Sequence, residues 1–478
     1  MHFTFHGRVT REDKARCDYL YVPFVLSQPA RRLDVRYRYS QPISHDKVEG
    51  GNVIDIGIFD PAGSDFPGGA GFRGWSGSDR SHFSLGRAAD QTTPGYLPGP
   101  LPAGRYEIIL GLYRIWPHGA DYEIEIEAHL DEVGASQPAE TAEPVPIAGE
   151  HGNGDGLLWL CGDLQAHTYH SDGKGSPAQL VARARALGLD FLAITDHNTI
   201  SHHAGLPALA DDDLLLIPGQ EVTTYYGHMN VWGTRRWCDF RSSSERELAA
   251  IIELAHASGG ACSINHPKTG GPPWEYTLDL PVDTMEVWHG PWPNYNEESL
   301  ALWEQALRQG RRLPAVGGSD YHCPAAGETG QLRLGQPTTW VKAAKRSASA
   351  ILAALCAGRA SISAAPDGPR LDMGAQGESG VAGMGETLVL APGEPVRVTV
   401  EVERGSGLTL RLVSAEGIIH EVVLEREQET VVVELRAHVY VRAELIGDMP
   451  AERLPDNVPA GLELSGWRWA LTNPVYLF

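Results

Sequence analysis

The segment GDLQAHTYHSDG, from Gly162 to Gly173, carries side chains of the types that bind divalent metal ions. His167 offers an imidazole nitrogen and Asp172 a carboxylate, a combination that suits Zn²⁺, Mn²⁺ or Fe²⁺. Gln165 stands where a second imidazole would be a better ligand, because its neutral amide oxygen holds a softer ion such as Zn²⁺ less tightly. The segment therefore predicts part of a metal site with one weakened position.

Imidazoles and carboxylates follow the predicted strands throughout this segment of the chain. In chain order they are Asp163, His167 and Asp172, then Asp196 and His197, Glu221 with His228 beyond it, His266, Glu286 and His289, and finally Asp320 and His322. Any single one of these is ordinarily a cap or a loop residue. Their repetition at successive strand ends is not explained by capping, and in parallel β/α folds the carboxyl ends of the strands meet at one edge. The pattern predicts a metal centre there.

The elements that would position these residues alternate between strands and helices. The predicted strands are LLWLCGDL, DFLAIT, LLLIPG, ACSIN, TMEVW and LPAVGG, and the predicted helices start at Ser176 and in ERELAAIIELAHA, EESLALWEQALRQ and SASAILAALCA. Ser176 is a good N-cap with Pro177 in the first helical position, and Gly188 is a stop signal. This alternation predicts an α/β fold with a parallel sheet, either open or closed into a barrel.

The motifs GDLQAHTYHSDG, AITDHNT, the Glu of PGQE, INHP and GGSDYH, in that order, resemble those of the PHP (polymerase and histidinol phosphatase) superfamily. The resemblance implies a distorted (β/α)7-type barrel with two or three divalent metal ions, Zn, Mn or Fe, at the strand ends. The flanking β regions, GHMNVWG and the closing TNPVYL resemble more specifically its carbaryl-hydrolase-type (CehA/McbA) branch.

Carried over by resemblance, the ligands form three sets. One set is Gln165, His167, Glu221 and Asp320; a second is Glu221 as a bridging carboxylate with His266 and His289; a third is Asp172, His197 and His322. Glu221 would bridge two ions and hold a catalytic water, with His228 or His322 as the proton donor. Lys268 is a candidate to bind an anionic substrate oxygen, although a solvated loop lysine is an equal alternative.

The regions on either side of this segment have the sequence patterns of β-structure and of a linker. We predict an N-terminal β-sandwich-like domain over 1–133, a Pro/Gly-rich linker over 134–156, the barrel over 157–365 and a C-terminal β-rich region over 366–478 that packs on the barrel. The aromatic residues near the ligands either wall a pocket or pack in the core; they are Tyr225, Tyr226, Trp288, Trp292 and Tyr321. The flanking regions carry no His/Asp/Glu cluster at ligand spacing, so we expect them to be structural or pocket-shaping.

Composition limits the partners. A net charge of -22 makes nucleic acid and anionic membrane unexpected as partners, so a small-molecule substrate is expected. The six cysteines are scattered without a C-x-x-C pair, which indicates reduced thiols. No apolar run of transmembrane length and no signal-peptide pattern is present, so a cytoplasmic location is expected, while the oligomeric state is left open.

The function predicted from these features is metal-dependent hydrolysis, with a phosphoesterase that uses a metal-activated water as the first choice. A carboxylic or carbamic (aryl) ester hydrolase of the carbaryl-hydrolase type is the alternative. A third interpretation, prompted by Gln165, is a catalytically silent protein that binds a ligand.

Overall fold

A computed structural model describes residues 1–43, 50–131, 156–269, 272–323, 332–437, 439–450, 453 and 464–478. Most of the predicted linker, 134–156, lies outside the described residues. The protein is a mixed α/β structure that is rich in strands and has few helices. None of the helices among the described residues is long and apolar enough to cross a membrane.

The N-terminal region consists of two four-stranded antiparallel sheets. Its elements are β1 (His2–Val9), α1 (Arg11–Arg16), β2 (Tyr19–Leu26), β3 (Ala30–Tyr39), β4 (Val53–Phe59), β5 (Phe72–Gly77), β6 (His82–Gly86), a 3₁₀ turn (Ala89–Gln91), β7 (Gly104–Arg114) and β8 (Ala120–Leu130). The sheet orders are β1-β8-β3-β6 and β2-β7-β4-β5. Side chains of both sheets, such as Val35 and Ile58, share one buried core, so the two sheets form a sandwich.

The middle region carries the predicted alternation of strands and helices. Its elements are β9 (Leu158–Asp163), α2 (Pro177–Ala186), β10 (Phe191–Ile194), a 3₁₀ turn (His203–Ala208), β11 (Leu215–Thr224), β12 (Gly227–Trp232), α3 (Glu245–Ala257), β13 (Ala261–Ile264), β14 (Thr284–His289), α4 (Asn296–Arg308), β15 (Ala315–Gly318), β16 (Thr338–Ala343) and α5 (Ala348–Cys356). The Ser176 side chain accepts a hydrogen bond from Gln179 N, as the capping prediction requires. Helices α2 to α5 coincide with the predicted ones.

The predicted (β/α)7 barrel is not what the structure shows. Strands β9, β10 and β11 pair in parallel, as do β13, β14 and β15. Strand β12, however, runs antiparallel to both β11 and β13, and β16 runs antiparallel to β9. Only Tyr225 and Tyr226 connect β11 to β12, and so short a connection permits a hairpin but no crossover helix. The result is an open mixed sheet.

The C-terminal region extends this sheet. Its strands are β17 (Ala360–Ser363), β18 (Arg370–Gly377), β19 (Gly380–Gly383), β20 (Thr387–Leu388), β21 (Val396–Glu403), β22 (Thr409–Ser414), β23 (Gly417–Val423), β24 (Gln428–Leu435), β25 (Val439–Gly447), β26 (Trp467–Thr472) and β27 (Val475–Leu477). The long sheet has the order β15-β14-β13-β12-β11-β10-β9-β16-β17-β26-β25-β22-β23, with β20 and β27 beside it.

A second C-terminal sheet, β19-β18-β21-β24, packs beside the long one. Asn473 fastens the end of the chain to the middle region, because its amide nitrogen donates to the carbonyls of Ala315 and Ala360 at 2.9 and 3.0 Å. The domain boundaries given above and the cytoplasmic location stay predictions.

Candidate metal centre

The strand ends of the middle region bring the nine predicted metal ligands into one cluster, each within 3.6 Å of another member. Most of them come from loops directly after β9, β10, β13 and β15, or from the last residue of β14, whereas Glu221 lies within β11. The predicted ligands therefore meet at the strand ends of a mixed sheet, as was expected for the strand ends of a barrel.

The first group consists of His167, Glu221 and Asp320. His167 Nε2 lies 2.9 Å from Asp320 Oδ1 and 3.4 Å from Glu221 Oε2. Gln165 faces this group through its amide nitrogen, which donates to Glu221 Oε1 at 3.2 Å and to Asp320 Oδ1 at 3.1 Å. Gln165 therefore lies beside the first group with its neutral amide directed at both carboxylates, and its part in metal binding stays a prediction.

The second group consists of His266, His289 and Asp320. His289 Nε2 lies 3.2 Å from Asp320 Oδ2, and His266 Nε2 lies 3.3 Å from Glu221 Oε1. The prediction assigned only Glu221 as the bridging carboxylate. In the structure Asp320 also belongs to two groups, so both carboxylates lie between neighbouring ligand sets.

The third group joins Asp172, His197 and His322 with His167. His322 Nε2 lies 3.1 Å from Asp172 Oδ2, and His197 Nε2 lies 3.6 Å from Asp172 Oδ1. The ring of His167 stacks against those of His197 and His322, with centroids 4.4 and 4.6 Å apart. His322 Nδ1 donates to the Asp320 carbonyl at 2.7 Å, and its Nε2 donates to Asp172. Burial would lower the pKa of His322, but Asp172 and Asp320 raise it to about 10, so the imidazole is protonated until a cation takes the place of its proton.

His228, predicted only as a proton donor, lies in a fourth group with His197 and Glu221. Its Nδ1 is 3.2 Å from Glu221 Oε1. It comes from β12, the strand whose antiparallel direction was not predicted from residue patterns. His228 is therefore placed both to act as a ligand and to exchange a proton.

The electrostatics of the cluster fit divalent cations. Burial alone would raise the pKa of Glu221, but His197 and His228 hold it well below its usual value, so the carboxylate is ionised. Burial, together with the nearby Lys268 charge, lowers the pKa of His289 to about 4, which leaves a neutral imidazole with a free lone pair. Burial would lower the pKa of His197 as well, but Glu221 and Asp172 raise it to about 9, so a cation bound there would displace a proton. Ionised carboxylates and neutral imidazoles are the donors that divalent transition metals require.

Several buried polar atoms of the cluster make no hydrogen bond to the part of the chain that is described. They are Gln165 Oε1, His167 Nδ1, Glu221 Oε2, His228 Nδ1 and His266 Nδ1. Buried polar atoms are rarely left without partners, because each costs about 1–3 kcal/mol. The residues present therefore fit a group of cations held between them.

Two of the candidate ligands have strained backbones. His266 has φ 30° and Asp320 has φ 53°, which places both non-glycine residues in the left-handed region. Such conformations cost about 1–3 kcal/mol and persist only where surrounding structure imposes them. The strain aims both side chains into the cluster, a property that residue types in a sequence do not reveal.

Three further carboxylates support the loops rather than join the cluster. Asp163 accepts hydrogen bonds from the backbone of Gln165, Ser319 and Gly335. Asp196 accepts from Thr168 N and from Ser171 Oγ, both at 2.7 Å. Glu286 accepts from His266 N at 2.7 Å. In the sequence these three carboxylates stand out only by their position at the end of a strand or after it. That position does not distinguish residues that hold a loop in place from residues that could bind a metal ion.

Lys268 does not occupy the role considered for it. Its ammonium group is buried and donates to the carbonyls of His289 and Asn294 and to Asn296 Oδ1. Since an ammonium has three N–H donors, none remains for a substrate oxygen. Lys268 instead holds the loop that carries His289.

A cavity of about 330 Å³ lies against the cluster, and both the N-terminal sandwich and the middle region line it. From the middle region come Asp172, His197, His228 and Tyr225; from the sandwich come Val53, Asp55, Trp75 and Tyr113. Of the five aromatic residues considered for a pocket wall, Tyr225 lines this cavity. Trp288, Trp292 and Tyr321 belong to packed cores, and the Tyr226 hydroxyl donates to Asp18. The sandwich residues carry no motif and were not predicted.

Comparisons with known proteins support the superfamily resemblance for part of the chain. Residues 163–238 match the PHP domain family. A 126-residue stretch is 33% identical to the 5'-3' exoribonuclease Rnm of Salmonella typhimurium (strain LT2), covering 25% of this chain and 42% of that protein. The chain thus spans less than half the length of that relative. The carbaryl-hydrolase-type branch stays a prediction.

Solved structures show weaker likeness. A two-domain protein containing a predicted PHP-like metal-dependent phosphoesterase from Bacteroides vulgatus is 18% identical, with a TM-score of 0.38 over 70% of this chain and 100% of that one. An amidohydrolase from Chromobacterium violaceum is 18% identical, with a TM-score of 0.25 over 36% of this chain and 90% of that one. Likeness at this level carries no argument about activity.

Proposed function

We propose that this protein is a metal-dependent phosphoesterase that cleaves a small phosphoester with water. The observation that supports it most is the buried cluster around Glu221 and Asp320, which combines ionised carboxylates, imidazoles and unpartnered polar atoms beside a cavity. Clusters of this composition are typical of hydrolytic metal sites.

The residues that would hold the ions are those of the four groups described above. Asp320 is shared between the first and second groups, and Glu221 between the first and fourth. A shared carboxylate offsets the repulsion between two neighbouring cations, which is why both residues matter more than a terminal ligand. Bound divalent ions would supply Lewis-acid polarisation of the phosphoryl group and a water of lowered pKa.

His228 is our candidate for the proton donor to the leaving group. It lines the cavity, whereas both ring nitrogens of His322 face fixed partners, the Asp320 carbonyl and the Asp172 carboxylate. Burial lowers the pKa of His228, so its proton would be readily given up once received.

A phosphoester is favoured as substrate by the PHP match and by the exoribonuclease name of one relative. A small molecule is favoured over a polynucleotide by the net charge of -22 and by the absence of Lys and Arg from the described residues that line the cavity. The carboxylic or carbamic ester hydrolase receives no support from the comparisons.

The test is a hydrolysis screen of purified protein, metal-loaded and metal-stripped, against an aryl phosphate, an aryl phosphodiester, an aryl acetate and an aryl carbamate. Cleavage of a phosphoester that is lost on stripping and restored by Mn²⁺ or Zn²⁺ is the expected result. Cleavage of the acetate or carbamate alone would replace the proposal by the ester hydrolase. No hydrolysis with metal bound would favour a silent binding protein.

A further inference from the structure

The N-terminal sandwich contributes one buried carboxylate, Asp55, to the wall of the cavity. Asp55 lies on β4 and is only 7% exposed. Its Oδ2 accepts a hydrogen bond from the Tyr225 hydroxyl at 2.6 Å, while no described residue donates a hydrogen bond to its Oδ1. A buried carboxylate with one unpartnered oxygen beside a cavity has spare capacity for a donor from a ligand.

The position of Asp55 is fixed from both sides of the cavity. Tyr225 reaches it from the β11–β12 turn, and the approach requires Gly111, because a Cβ there would clash with the Tyr225 hydroxyl. Tyr225 directly follows β11, which carries Glu221 and Thr223, and Thr223 Oγ1 lies 2.6 Å from His197 Nδ1, so the tyrosine that contacts Asp55 is one residue beyond a strand of the cluster. The carboxylate is therefore held at a set position relative to the metal centre.

The surroundings of Asp55 favour a cation over a second anion. Trp75, Tyr113 and Tyr225 line the same cavity, and aromatic rings next to a carboxylate are a common setting for an ammonium group. Burial raises the pKa of Asp55 to about 6, and the group is still mainly ionised at neutral pH. The Lys14 ammonium lies 5.1 Å from the centroid of the Tyr225 ring and partly offsets the effect of burial on the pKa of Asp55, but its ion pair is with Asp18 at 2.9 Å.

We propose that Asp55, with the aromatic rings of Trp75 and Tyr113, binds an ammonium group on the organic part of the substrate. The inference rests on the proposed function, since it makes the substrate a small phosphomonoester of an amino alcohol. The phosphoryl group would face the metal cluster, and the ammonium would face Asp55. A cavity of about 330 Å³, at the small end for ligand sites, suits one such molecule.

The experiment uses ω-aminoalkyl phosphates of increasing chain length, each paired with the n-alkyl phosphate of the same length. With metal-loaded protein, we expect kcat/KM to favour the amino compound by about tenfold or more at the best length, the scale of a charged hydrogen bond. Asp55→Asn keeps an acceptor for Tyr225 but removes the charge, so the preference should fall to near one.

Asp79→Asn is the matched control. Asp79 also lines the cavity, but its carboxylate is 34% exposed and paired with Lys174 at 3.1 Å. The control should keep the preference for the amino compounds. Loss of the preference in Asp79→Asn and its retention in Asp55→Asn would overturn the assignment.

Equilibrium binding separates this inference from the proposed function. Calorimetry with aminoalkyl and alkyl phosphonates, which are not cleaved as esters, should show the same preference in affinity. Preferential binding without hydrolysis of any phosphate would refute the phosphoesterase and keep the ammonium site. Equal affinities of the wild-type protein for the two ligands, or a preference for a hydroxyalkyl phosphonate, would overturn the ammonium site even if phosphates are cleaved and even if Asp55→Asn does not fold.

Discussion

Two buried polar clusters in this molecule satisfy their charges in opposite ways. Between β25, β26 and α4, the arginine–glutamate cluster pairs Arg442 and Arg468 with Glu444 at 2.7 and 3.1 Å. Arg442 also pairs with Glu304, and Arg468 with Glu297 at 2.9 Å. Each charge there has a permanent counter-charge from the chain itself.

The metal centre has carboxylates of the same depth but no permanent cation among the described residues that form it. Glu221 and Asp320 face imidazoles, which are positive only when protonated, and several atoms around them lack hydrogen-bond partners. The first cluster supplies its own counter-charges, although Arg442 Nε makes no hydrogen bond to the described residues, whereas under our proposal the second receives its counter-charges from bound cations. That difference is what separates a structural from a functional polar cluster here.

The largest expected effect comes from Glu221→Gln, which keeps the shape of the side chain and removes its charge. Metal content should fall below that of the wild type, and turnover should fall roughly a hundredfold or more, the scale of losing one preorganised electrostatic contact. Metal analysis and hydrolysis of the best phosphoester measure both effects.

Asp283→Asn is the control for Glu221→Gln. Asp283 belongs to another His/Cys/Asp group with His256 and Cys262, but it already accepts from His256 and from the Cys262 backbone. The Asp283→Asn variant should have the same metal content as the wild type. Full metal content and activity in Glu221→Gln would show that Glu221 is not a bridging ligand.

A substitution in the arginine–glutamate cluster should change the stability of the protein and leave its metal content unchanged. Glu444→Gln leaves Arg442 and Arg468 buried without their shared partner, so the free energy of unfolding should fall by about 3 kcal/mol. Urea unfolding measures this, and metal analysis of the same variant should match the wild type. Metal loss in Glu444→Gln would break the distinction between the two clusters.

The same cluster predicts an acid dependence. Burial would raise the pKa of Glu444, but Arg442 and Arg468 hold it at about 2, below its ordinary value of 4.5. A carboxylate whose pKa is lower in the folded than in the unfolded state stabilises the protein at pH values above its unfolded-state pKa. That stabilisation is lost as the pH falls through the folded-state pKa. The stability difference between wild type and Glu444→Gln should therefore be constant above about pH 5 and shrink toward pH 2. A difference that does not change with pH would contradict the ion pairing.

The smallest effect is expected from Gln165→His. The amide nitrogen of Gln165 donates hydrogen bonds to Glu221 and Asp320. A histidine at this position would offer an imidazole nitrogen that can bind a metal ion. We expect one additional ion to bind about tenfold more tightly, measured by metal titration. Unchanged stoichiometry and affinity would mean that residue 165 has no part in metal binding.

Sequence reasoning located the ligands because strand ends of a parallel sheet meet, a rule that needs no knowledge of the complete fold. The structure brings His167 and His266 each into a group with Asp320, while their role as metal ligands stays a prediction. Sequence reasoning did not anticipate the reversal of β12, although the two-residue connection between β11 and β12 is visible in the chain. The barrel prediction assumed that strands and helices alternate through the β11–β12 hairpin, and it is wrong at that hairpin.

The cavity wall could not be found in the same way. Asp55 and Trp75 lie far from the ligands along the chain and come from a sandwich that has no ligand spacing of its own. Their role depends on how the sandwich packs against the β11–β12 turn, which is a tertiary contact without a local pattern. The same holds for Asp163 and Lys268, because most of their partners are distant in sequence.

The most direct test of the account is the metal stoichiometry of the wild-type protein, measured by elemental analysis after loading with Mn²⁺ or Zn²⁺ and removal of free ions. Because Glu221 and Asp320 are each shared by two ligand groups, we expect about two tightly held divalent ions per chain, with any further ion on the Gln165 side held weakly. Fewer than one tightly held ion per chain under these conditions would contradict the metal centre.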